Sequence, residues 1–220
     1  MQKILWLETH ALDSSENMAV DEALFLERAP SLRFYDWKES AYSMGYFQCT
    51  KAFNPAVTLV RRITGGGIVK HGEDLTFSLV IDLQKFPVLE CVKESYFFIH
   101  QGILEGFKIL RRPLDVFLSK RERSEKYCFN SPVPGDLMLG DVKVVGGAQR
   151  RRGSLLLHQG TIQLPLLDVE RLAVIRAIGE GFEKLFRLDF EEDSGILGRI
   201  SSSIKDLKAK YSSQVWTYKF

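Results

Sequence analysis

The clearest pattern along the chain is a strict alternation of apolar and polar side chains between residues 75 and 83. The apolar positions are Leu75, Phe77, Leu79, Ile81 and Leu83. A period of two residues places these side chains on one face of a β-strand and leaves a largely polar opposite face. The pattern predicts a strand of an antiparallel-type sheet with one packed face. Weaker patterns predict strands at residues 4–7, 32–35, 42–44 and 155–164.

Four other segments repeat their apolar side chains at helical spacing. They predict helices over about residues 16–28, 99–110, 172–186 and 197–211. Residues 13–15 offer side-chain caps for the first helix. Gly102 and Gly106 lie on the apolar stripe of the second helix, which indicates close packing against the sheet. The expected fold class is α+β, with a mixed, mostly antiparallel sheet and helices packed against it.

Two turns are predicted in the second half of the chain. Gly140 lies between two apolar runs and suits the first position of a type II′ turn, which predicts a hairpin over residues 137–145. In that hairpin Val142 and Val144 share one face and Lys143 points to the other, so periodicity alone favours a solvated lysine. Residues 150–153, three arginines and a glycine, predict a second turn. The charged residues 121–126 indicate a loop.

Length and charge leave a broad class of protein. The 220 residues, 45% of them hydrophobic, suffice for one large domain with a core, or for one domain plus a small appendage. The net charge of +2 gives no indication of nucleic acid binding. No apolar run is long enough for a membrane span, and the N-terminus carries no leader pattern.

The three cysteines, Cys49, Cys91 and Cys128, are widely spaced and form no C-x-x-C pair. Neither a disulfide framework nor a zinc site is indicated, and a reducing cytoplasm is the simplest location. Cys49 and Cys91 are expected to be small core side chains.

The segment Arg61-Arg62-Ile63-Thr64-Gly65-Gly66-Gly67-Ile68-Val69-Lys70-His71 carries the strongest chemical signal. Three consecutive glycines cost conformational entropy but let the backbone approach a ligand closely. The two guanidinium groups suit an anionic group. The segment has neither the Gly-Lys-Ser/Thr ending of a P-loop nor a G-x-G-x-x-G pattern. A glycine-rich loop between two strands explains the same residues, and the segment alone leaves both readings open.

Four segments together resemble the lipoate–protein ligase and octanoyltransferase superfamily, which shares its core with biotin protein ligases. They are Asn17-Met18-Ala19-Val20-Asp21-Glu22-Ala23-Leu24, residues 61–78, residues 136–150, and Leu157-His158-Gln159-Gly160-Thr161-Ile162. They occur in the family's order and span roughly residues 5–164. The resemblance implies a biotin/lipoate protein ligase-like catalytic core, here expected as a single catalytic domain, residues 1–220, without a sizeable C-terminal accessory domain.

The resemblance also implies the activity, which is attachment of a lipoyl or octanoyl chain to a lysine of a lipoyl domain. Such domains occur in 2-oxoacid dehydrogenase complexes and in the glycine cleavage H protein. The ligases activate lipoate or octanoate with ATP as an acyl-adenylate, and Mg²⁺ is expected to arrive with the ATP, without a metal site in the protein. The transferases take the acyl group from a carrier protein through a cysteine thioester. A separate accessory chain or an acyl carrier protein is therefore a further expected partner.

The family pattern implies a role for each matching residue. Arg62 matches an arginine near the adenylate, and Gly65, Gly66 and Gly67 match a loop along the acyl chain. Ile68, Val69, Lys70 and His71 match a strand beside the nucleotide. Lys143 matches the lysine that contacts the acyl carbonyl and the phosphate, Asp136 an acidic residue near the nucleotide, and Gly146 a substrate contact. His158 is expected to shape the acyl pocket, whereas His71 is equally compatible with a structural role.

The choice between ligase and transferase depends on a few positions. Cys128 lies upstream of Lys143, where one octanoyltransferase branch carries its nucleophile, and residues 32–48 also resemble that branch. Gly67 is typical of ligases, because the transferase branch usually has arginine there. The sequence analysis favours an ATP-dependent lipoate–protein ligase. The alternatives are an octanoyl or lipoyl transferase acting through a Cys128 thioester, and a non-catalytic acyl-binding partner domain.

Overall fold

The computed structural model describes residues 1–50, 57–119, 131–193 and 195–220. The strands are β1 (Gln2–Leu12), β2 (Ser31–Trp37), β3 (Ala41–Met44), β4 (Leu59–Arg61), β5 (Ile68–His71), β6 (Leu75–Asp82), β7 (Asp115–Val116), β8 (Leu137–Leu139), β9 (Val142–Arg152), β10 (Leu155–Ile162) and β11 (Leu188–Glu192). The helices are α1 (Ser14–Leu26), α2 (Val92–Ile109), α3 (Arg171–Phe186), α4 (Ile196–Arg199), α5 (Ser201–Ser212) and α6 (Gln214–Thr217). Short 3₁₀ helices occur at Leu83–Lys85, Pro87–Leu89 and Leu164–Leu166.

Two sheets organise the described part of the chain. The large sheet has the strand order β11-β1-β2-β6-β10-β9-β8-β7, and a small sheet has the order β4-β3-β5. Strand β1 pairs in parallel with both β11 and β2, and β3 pairs in parallel with β4, whereas the other neighbours are antiparallel. The expected α+β class with a mixed, mostly antiparallel sheet is confirmed.

Strand β6 lies in the centre of the large sheet and is buried on both faces. Leu79 and its apolar neighbours pack into a core with α2 and α3. On the opposite face, Thr76 accepts a hydrogen bond from the Trp37 indole and Ser78 donates one to Asp21. The expectation of a single packed face is therefore wrong. Polar side chains on the second face satisfy their hydrogen bonds internally, so α1 can cover them.

Helices α2 and α3 pack against each other through glycines. A Cβ on Gly106 would lie 2.6 Å from the carbonyl oxygen of Ala177, and a Cβ on Gly181 would lie 2.3 Å from that of Gly102. The glycines of α2 therefore permit close helix–helix contact, and the predicted close approach to the sheet is wrong. The apolar stripe in the sequence identified the buried face of α2, but it did not show that this face packs against α3.

Two predicted boundaries differ from the structure. The arginines at 150–152 continue β9, and the turn falls at Gly153, which has φ +58°. The apolar repeat over 197–211 is divided between α4 and α5, which meet at Ile200. In the first case β9 pairs with β10 as far as Arg152, so sheet pairing overrides the turn preference of the arginines.

Helix α1 begins where the capping residues predict. Asp13 accepts a hydrogen bond from the Glu16 amide at 2.8 Å, and the Glu16 carboxylate accepts one from the Asp13 amide. This reciprocal pair fixes the N-terminus of the helix. Among the described residues, none of the helices combines the length and the apolar character needed to cross a lipid bilayer.

Candidate functional site

A cavity is lined by residues of both sheets, of α1 and of the glycine-rich segment. The lining residues are Met18, Tyr35, Trp37, Ser43, Arg62, Val69, His71, Thr76, Gly146, Gly147, Ala148, Gln159, Gly160 and Thr161. Its volume is 30 Å³, which is room for about one or two water molecules.

Lys143 on β9 lies against Gly146 of the cavity wall, with only 3% of its surface exposed. The Nζ atom lies 2.8 Å from Oδ2 of Asp136. The solvated lysine that periodicity favours is wrong. Leu137 pairs with Val145 whereas Met138 pairs with Lys143, so β9 contains an extra residue at this point. This bulge breaks the alternation of faces and re-aims the lysine.

Asp136 accepts hydrogen bonds from several donors besides Lys143. The Tyr96 hydroxyl donates to Oδ1 at 2.5 Å and the Val133 amide donates to Oδ2 at 2.7 Å. The Tyr96 oxygen in turn accepts from the amide of Gly147 at 3.0 Å. The structure thus places Asp136 against Lys143, and a chain of hydrogen bonds connects it to a residue of the cavity wall.

The two glycines that follow the bulge have no room for a side chain. A Cβ on Gly146 would lie 2.3 Å from Cε of Lys143, and one on Gly147 would lie 2.3 Å from Nε2 of His158. The lysine stem therefore lies across the Gly146 backbone at the cavity wall. Glycine at this position is a requirement of the lysine's orientation.

The two arginines before the glycines bind backbone carbonyl groups of this chain. Arg61 is fully buried and donates to the carbonyl oxygens of Tyr46, Gln48 and Thr217 at 2.8, 2.8 and 3.0 Å. The expectation that it faces an anion is wrong, because its guanidinium group ties three segments of the chain together.

Arg62 reaches the cavity but also braces the glycine-rich segment. Its guanidinium group donates to the carbonyl oxygens of Gly65 and Gly67 at 2.7 and 2.8 Å, and to Oγ of Ser43 at 3.0 Å. Gly66 has φ +87°, which favours glycine. Residues 65–67 do not line the cavity themselves. Gly45 packs directly against them, since a Cβ there would lie 2.1 Å from the Gly66 carbonyl oxygen.

His71 ends β5 within a chain of buried polar groups. Its Nδ1 lies 2.8 Å from Oδ2 of Asp74 and its Nε2 lies 2.8 Å from Oγ of Ser43. The Trp37 ring stacks on the imidazole at 4.0 Å. Burial acts to raise the pKa of Asp74, but His71 and the hydrogen bonds from His71, Gly72 and Thr76 hold it below its ordinary value.

The other residues of β5 separate into two groups. Ile68 and Val69 are buried, and Val69 lines the cavity beside His71. Lys70 is exposed and lines a separate, open depression with Glu73. The strand that resembles a nucleotide contact therefore presents only two of its four side chains to the cavity.

His158 is fully buried behind the cavity wall. Its ring lies 5.6 Å from those of Phe77 and Tyr96 and 5.3 Å from that of His100. Burial, with a smaller contribution from His100, holds the pKa of His158 well below its ordinary value. Its position behind Gly147 and Gly160 is compatible with shaping a pocket, through the backbone rather than by direct lining.

Comparison with known proteins identifies the family to which this site belongs. The family model described as the lipoyl protein ligase A/B catalytic domain matches residues 13–178. The chain belongs to this family. The match contains all four sequence segments that carry the resemblance, together with Arg62, Lys143 and the cavity between them, so the expected superfamily is confirmed. Lipoyl or octanoyl transfer is accordingly the activity of the family to which the site belongs.

The similar proteins carry two kinds of name, octanoyltransferase and lipoate protein ligase. The octanoyltransferase LipM of Brevibacillus brevis is 34% identical over 192 residues, which covers 78% of this chain and 69% of the relative. The crystal structure of a lipoate-protein ligase A bound with ATP has a TM-score of 0.78 and 25% identity, covering 99% of this chain and 98% of the other. A bi-partite lipoate protein ligase from Thermoplasma acidophilum shares the fold, with a TM-score of 0.76, 22% identity, and coverage of 99% and 97%.

The cysteines divide between described and undescribed parts of the chain. Cys128, the expected nucleophile of a transferase in this family, lies outside the described residues. Cys49 and Cys91 are both exposed and free. The expectation that these two are core side chains is wrong. Cys49 lies close to the exposed Phe47, and Cys91 occupies the N-cap position of α2 without a side-chain capping bond.

A buried ion pair supports the cavity and was missed by sequence reasoning. Arg33 on β2 and Asp21 on α1 are fully buried, with a 2.6 Å contact. Asp21 also accepts a hydrogen bond from Nε2 of Gln159, at 2.7 Å, and Oε1 of Gln159 accepts one from Thr64 at 2.8 Å. The pair thus holds a cavity residue and the start of the glycine-rich segment. The available signal was a charged Arg33 between apolar Leu32 and Phe34.

Proposed function

We propose that this protein is an octanoyltransferase, which moves an octanoyl group from a carrier-protein thioester to a lysine of a lipoyl domain through Cys128. The observation that carries the proposal is its 34% identity, over 78% of the chain, to a relative named as an octanoyltransferase. This reverses the order expected from the sequence, in which the ATP-dependent ligase came first.

The proposed reaction has two steps, acyl transfer to Cys128 and acyl transfer to the acceptor lysine. The thiolate of Cys128 attacks the carrier thioester, a new acyl–sulfur bond forms, and the bond to the carrier sulfur breaks, so that the carrier leaves as a thiolate and takes up a proton from water. The neutral amine of the acceptor lysine then attacks the Cys128 thioester, forms the amide and releases the cysteine thiol. A thioester is already activated, so neither step consumes ATP.

Lys143 supplies the fixed positive charge in this proposal. Its ammonium group is desolvated and lies beside Gly146 of the cavity wall. A positive charge in a site from which water is largely excluded stabilises the oxyanion that forms as a thioester is attacked. A nearby ammonium group also favours the thiolate form of a cysteine.

The arginines support the same proposal. Arg61 and Arg62 donate hydrogen bonds to carbonyl oxygens around the glycine-rich segment. These contacts brace the segment, from which Arg62, Val69 and His71 line the cavity. An adenylate-forming enzyme needs donors directed at a phosphate, whereas the hydrogen bonds of Arg61 and Arg62 named here go to carbonyl groups of the chain itself.

The second candidate is the ATP-dependent lipoate–protein ligase. It is favoured by the likeness to the ATP-bound lipoate-protein ligase A and by the glycine at position 67. In that enzyme Arg62 and residues 68–71 would hold the nucleotide, Asp136 would lie near it, and Mg²⁺ would enter with ATP. An acyl-binding domain without turnover is the third possibility, and the same experiment distinguishes all three.

The decisive experiment offers a purified lipoyl domain two acyl sources in separate reactions. One contains octanoyl carrier protein without ATP, and the other contains free lipoate with ATP and Mg²⁺. Mass spectrometry of the acceptor reads the product of each. We expect product from the carrier protein alone. Product only with lipoate and ATP establishes the ligase, and product in neither reaction leaves the binding domain or a missing partner chain.

Cysteine variants test the proposed nucleophile in the same assay. We expect Cys128→Ser to abolish octanoyl transfer and to leave no thioester on the enzyme. Cys49→Ser and Cys91→Ser are matched controls, because both thiols are free and exposed, and both variants are expected to retain transfer. An active Cys128→Ser variant rules out the thioester route.

A further inference from the structure

We infer that Asp136 and Tyr96 are positioning residues for Lys143: they hold its ammonium group at the cavity wall and couple it to the backbone amide of Gly147. The inference rests on the proposed function, because it gives these residues a part in the same transfer reaction. The family resemblance placed Asp136 beside a nucleotide, and Tyr96 had no assigned part.

The contact between Asp136 and Lys143 is the first support. Both side chains are buried, at 0% and 1% exposure, and their charged atoms lie 2.8 Å apart. The Val133 amide and the Tyr96 hydroxyl also donate to this carboxylate. A carboxylate with this many donors is held in one orientation. The ammonium group therefore has a fixed counter-charge and a fixed direction.

Tyr96 connects this ion pair to the cavity wall. Its hydroxyl group donates to Asp136 at 2.5 Å and accepts from the Gly147 amide at 3.0 Å. The hydroxyl thus bridges α2 to the bulged segment of β9 that carries Lys143. Without it, one oxygen of Asp136 loses a donor and the amide of Gly147 loses its acceptor, so both the lysine and the wall lose their restraint.

The surrounding side chains leave the charge of the pair in place. Among the described residues, the titratable rings of His100 and His158 pack against Tyr96, with ring separations of 4.3 and 5.6 Å. Burial lowers the pKa of His100 to about 4 and that of His158 well below its ordinary value. Both rings are therefore neutral near pH 7 and do not compete with Lys143 for Asp136.

Stability alone is a poor explanation of this arrangement. A buried ion pair repays its desolvation cost only in part, and apolar side chains of similar volume are often as stabilising. The pair nevertheless lies at the cavity wall, on a bulge that re-aims the lysine and over a glycine that makes room for its stem. These features all determine where the ammonium group points.

The first test measures octanoyl transfer by Asp136→Asn and Tyr96→Phe. We expect kcat to fall roughly 10- to 100-fold in both variants, because misplacement of a catalytic charge costs about that much. The KM for the carrier protein should change less than about 3-fold. In Asp136→Asn the alkaline limb of the pH–rate profile should also move to lower pH. An ammonium group without its carboxylate loses its proton more readily.

Matched controls are Asp141→Asn, on the exposed turn of the same hairpin, and Tyr218→Phe, which is exposed. Both should transfer at the wild-type rate with an unchanged pH profile. Circular dichroism checks that all four variants fold. A wild-type rate in Tyr96→Phe, or an unmoved alkaline limb in Asp136→Asn, overturns the inference.

A second measurement does not need enzymatic activity. Acetic anhydride labels neutral lysine amines, and peptide mass spectrometry follows the labelling of Lys143 as the pH is raised. We expect Lys143 to become reactive at lower pH in Asp136→Asn than in the wild type, with other lysines unchanged. The same labelling curve in both overturns the inference. If the wild type transfers no octanoyl group, the proposed function fails, and this measurement still decides the pairing.

Discussion

His100 and His158 show how far a buried side chain can depart from its behaviour in water. Both rings are fully buried, and Nδ1 of His100 lies 2.7 Å from the carbonyl oxygen of Gly135, to which it can only donate. Among the described residues, the Nε2 atoms of both rings have no hydrogen-bond partner. Protonation would place a second N–H and a charge in this dry environment, so the folded state keeps both rings neutral.

A pH-dependent stability follows from these two histidines. Burial lowers the pKa of His100 to about 4, whereas an unfolded histidine titrates near 6.5. The unfolded chain therefore binds the proton first as the pH falls from about 6.5 to about 4. The contribution of neutral His100 to the free energy of unfolding is complete above about pH 6.5. It should decrease as the pH falls through this range, by roughly 2–4 kcal/mol in total.

Urea unfolding at pH values between 7 and 4 measures this decrease. His100→Gln should flatten the dependence, because glutamine can still donate to the Gly135 carbonyl but does not titrate. A wild-type slope in His100→Gln would show that other groups cause the acid sensitivity.

Lys143 shows the limit of periodicity at the scale of one residue. Its neighbours Val142 and Val144 predict a common face, but Val142 is 52% exposed and Val144 is fully buried. One extra residue in β9 reverses the expected orientation. A bulge leaves no periodic signal in the sequence, so only the family pattern pointed to this lysine. The residues that hold it, Asp136 and Tyr96, are separated from it along the chain.

At the scale of elements, the pair of helices α2 and α3 depends on backbone contact. Gly106 and Gly181 leave space that is filled by the backbone of the opposite helix. In isolation, a glycine within a helix costs stability relative to alanine, by about 1 kcal/mol. The compensation is the closer packing of two helices that cover one face of the large sheet.

Gly106→Ala should therefore destabilise the protein in spite of the better helix propensity of alanine. The new Cβ would lie 2.6 Å from the Ala177 carbonyl oxygen, and overpacking of this kind costs roughly 1–3 kcal/mol. Urea unfolding gives the change in free energy. Gly198→Ala in α4 is the matched control, since its Cβ meets no atom within 4 Å, and it should be neutral or stabilising. Equal stability of the two variants would contradict the packing argument.

Elements with a strong period were predicted well, and elements without one were not. Strand β6 and helix α3 appear within a residue or two of their expected bounds, because burial on a face repeats along each of them. The arginines that continue β9 follow from the pairing of that strand with β10, and the apolar repeat did not mark the division of α4 from α5. Local propensity does not contain those contacts.

At the scale of the whole molecule, Arg61 joins segments that are distant along the chain. Its guanidinium group binds the carbonyl oxygens of Tyr46, Gln48 and Thr217, and the Trp216 indole donates to the Arg61 carbonyl oxygen at 2.8 Å. The C-terminal helix α6 is thereby fastened to the strand that leads into the glycine-rich segment. The position of the cavity wall thus depends on residues more than 150 positions away along the chain.

Arg61→Lys tests this connection. Lysine keeps the charge but donates from a single nitrogen atom, so it cannot bind carbonyl groups on several sides at once. We expect the free energy of unfolding to fall by roughly 1–3 kcal/mol, because buried carbonyl groups lose their donors, and octanoyl transfer to fall with it. Thermal unfolding and the transfer assay give the two values.

Arg176→Lys, at an exposed position on α3, controls for the chemical change itself and should match the wild type. Wild-type stability in Arg61→Lys would show that the contacts of the C-terminal helix are dispensable.

The sequence by itself determined the fold class, the family and the principal candidate residues, because periodic burial and short motifs are properties of neighbouring positions. It identified Arg62, His71, Asp136 and Lys143 as members of a site. Tertiary structure decided what each of them touches. The bulge in β9 turns Lys143 inward, and the contacts of Tyr96 join Asp136 to the cavity wall. Arg61 binds carbonyl groups of distant segments and has a structural role. These outcomes depend on groups brought together across the sheet and between helices, and the free energy of a buried charge is set by such partners, which no local pattern specifies.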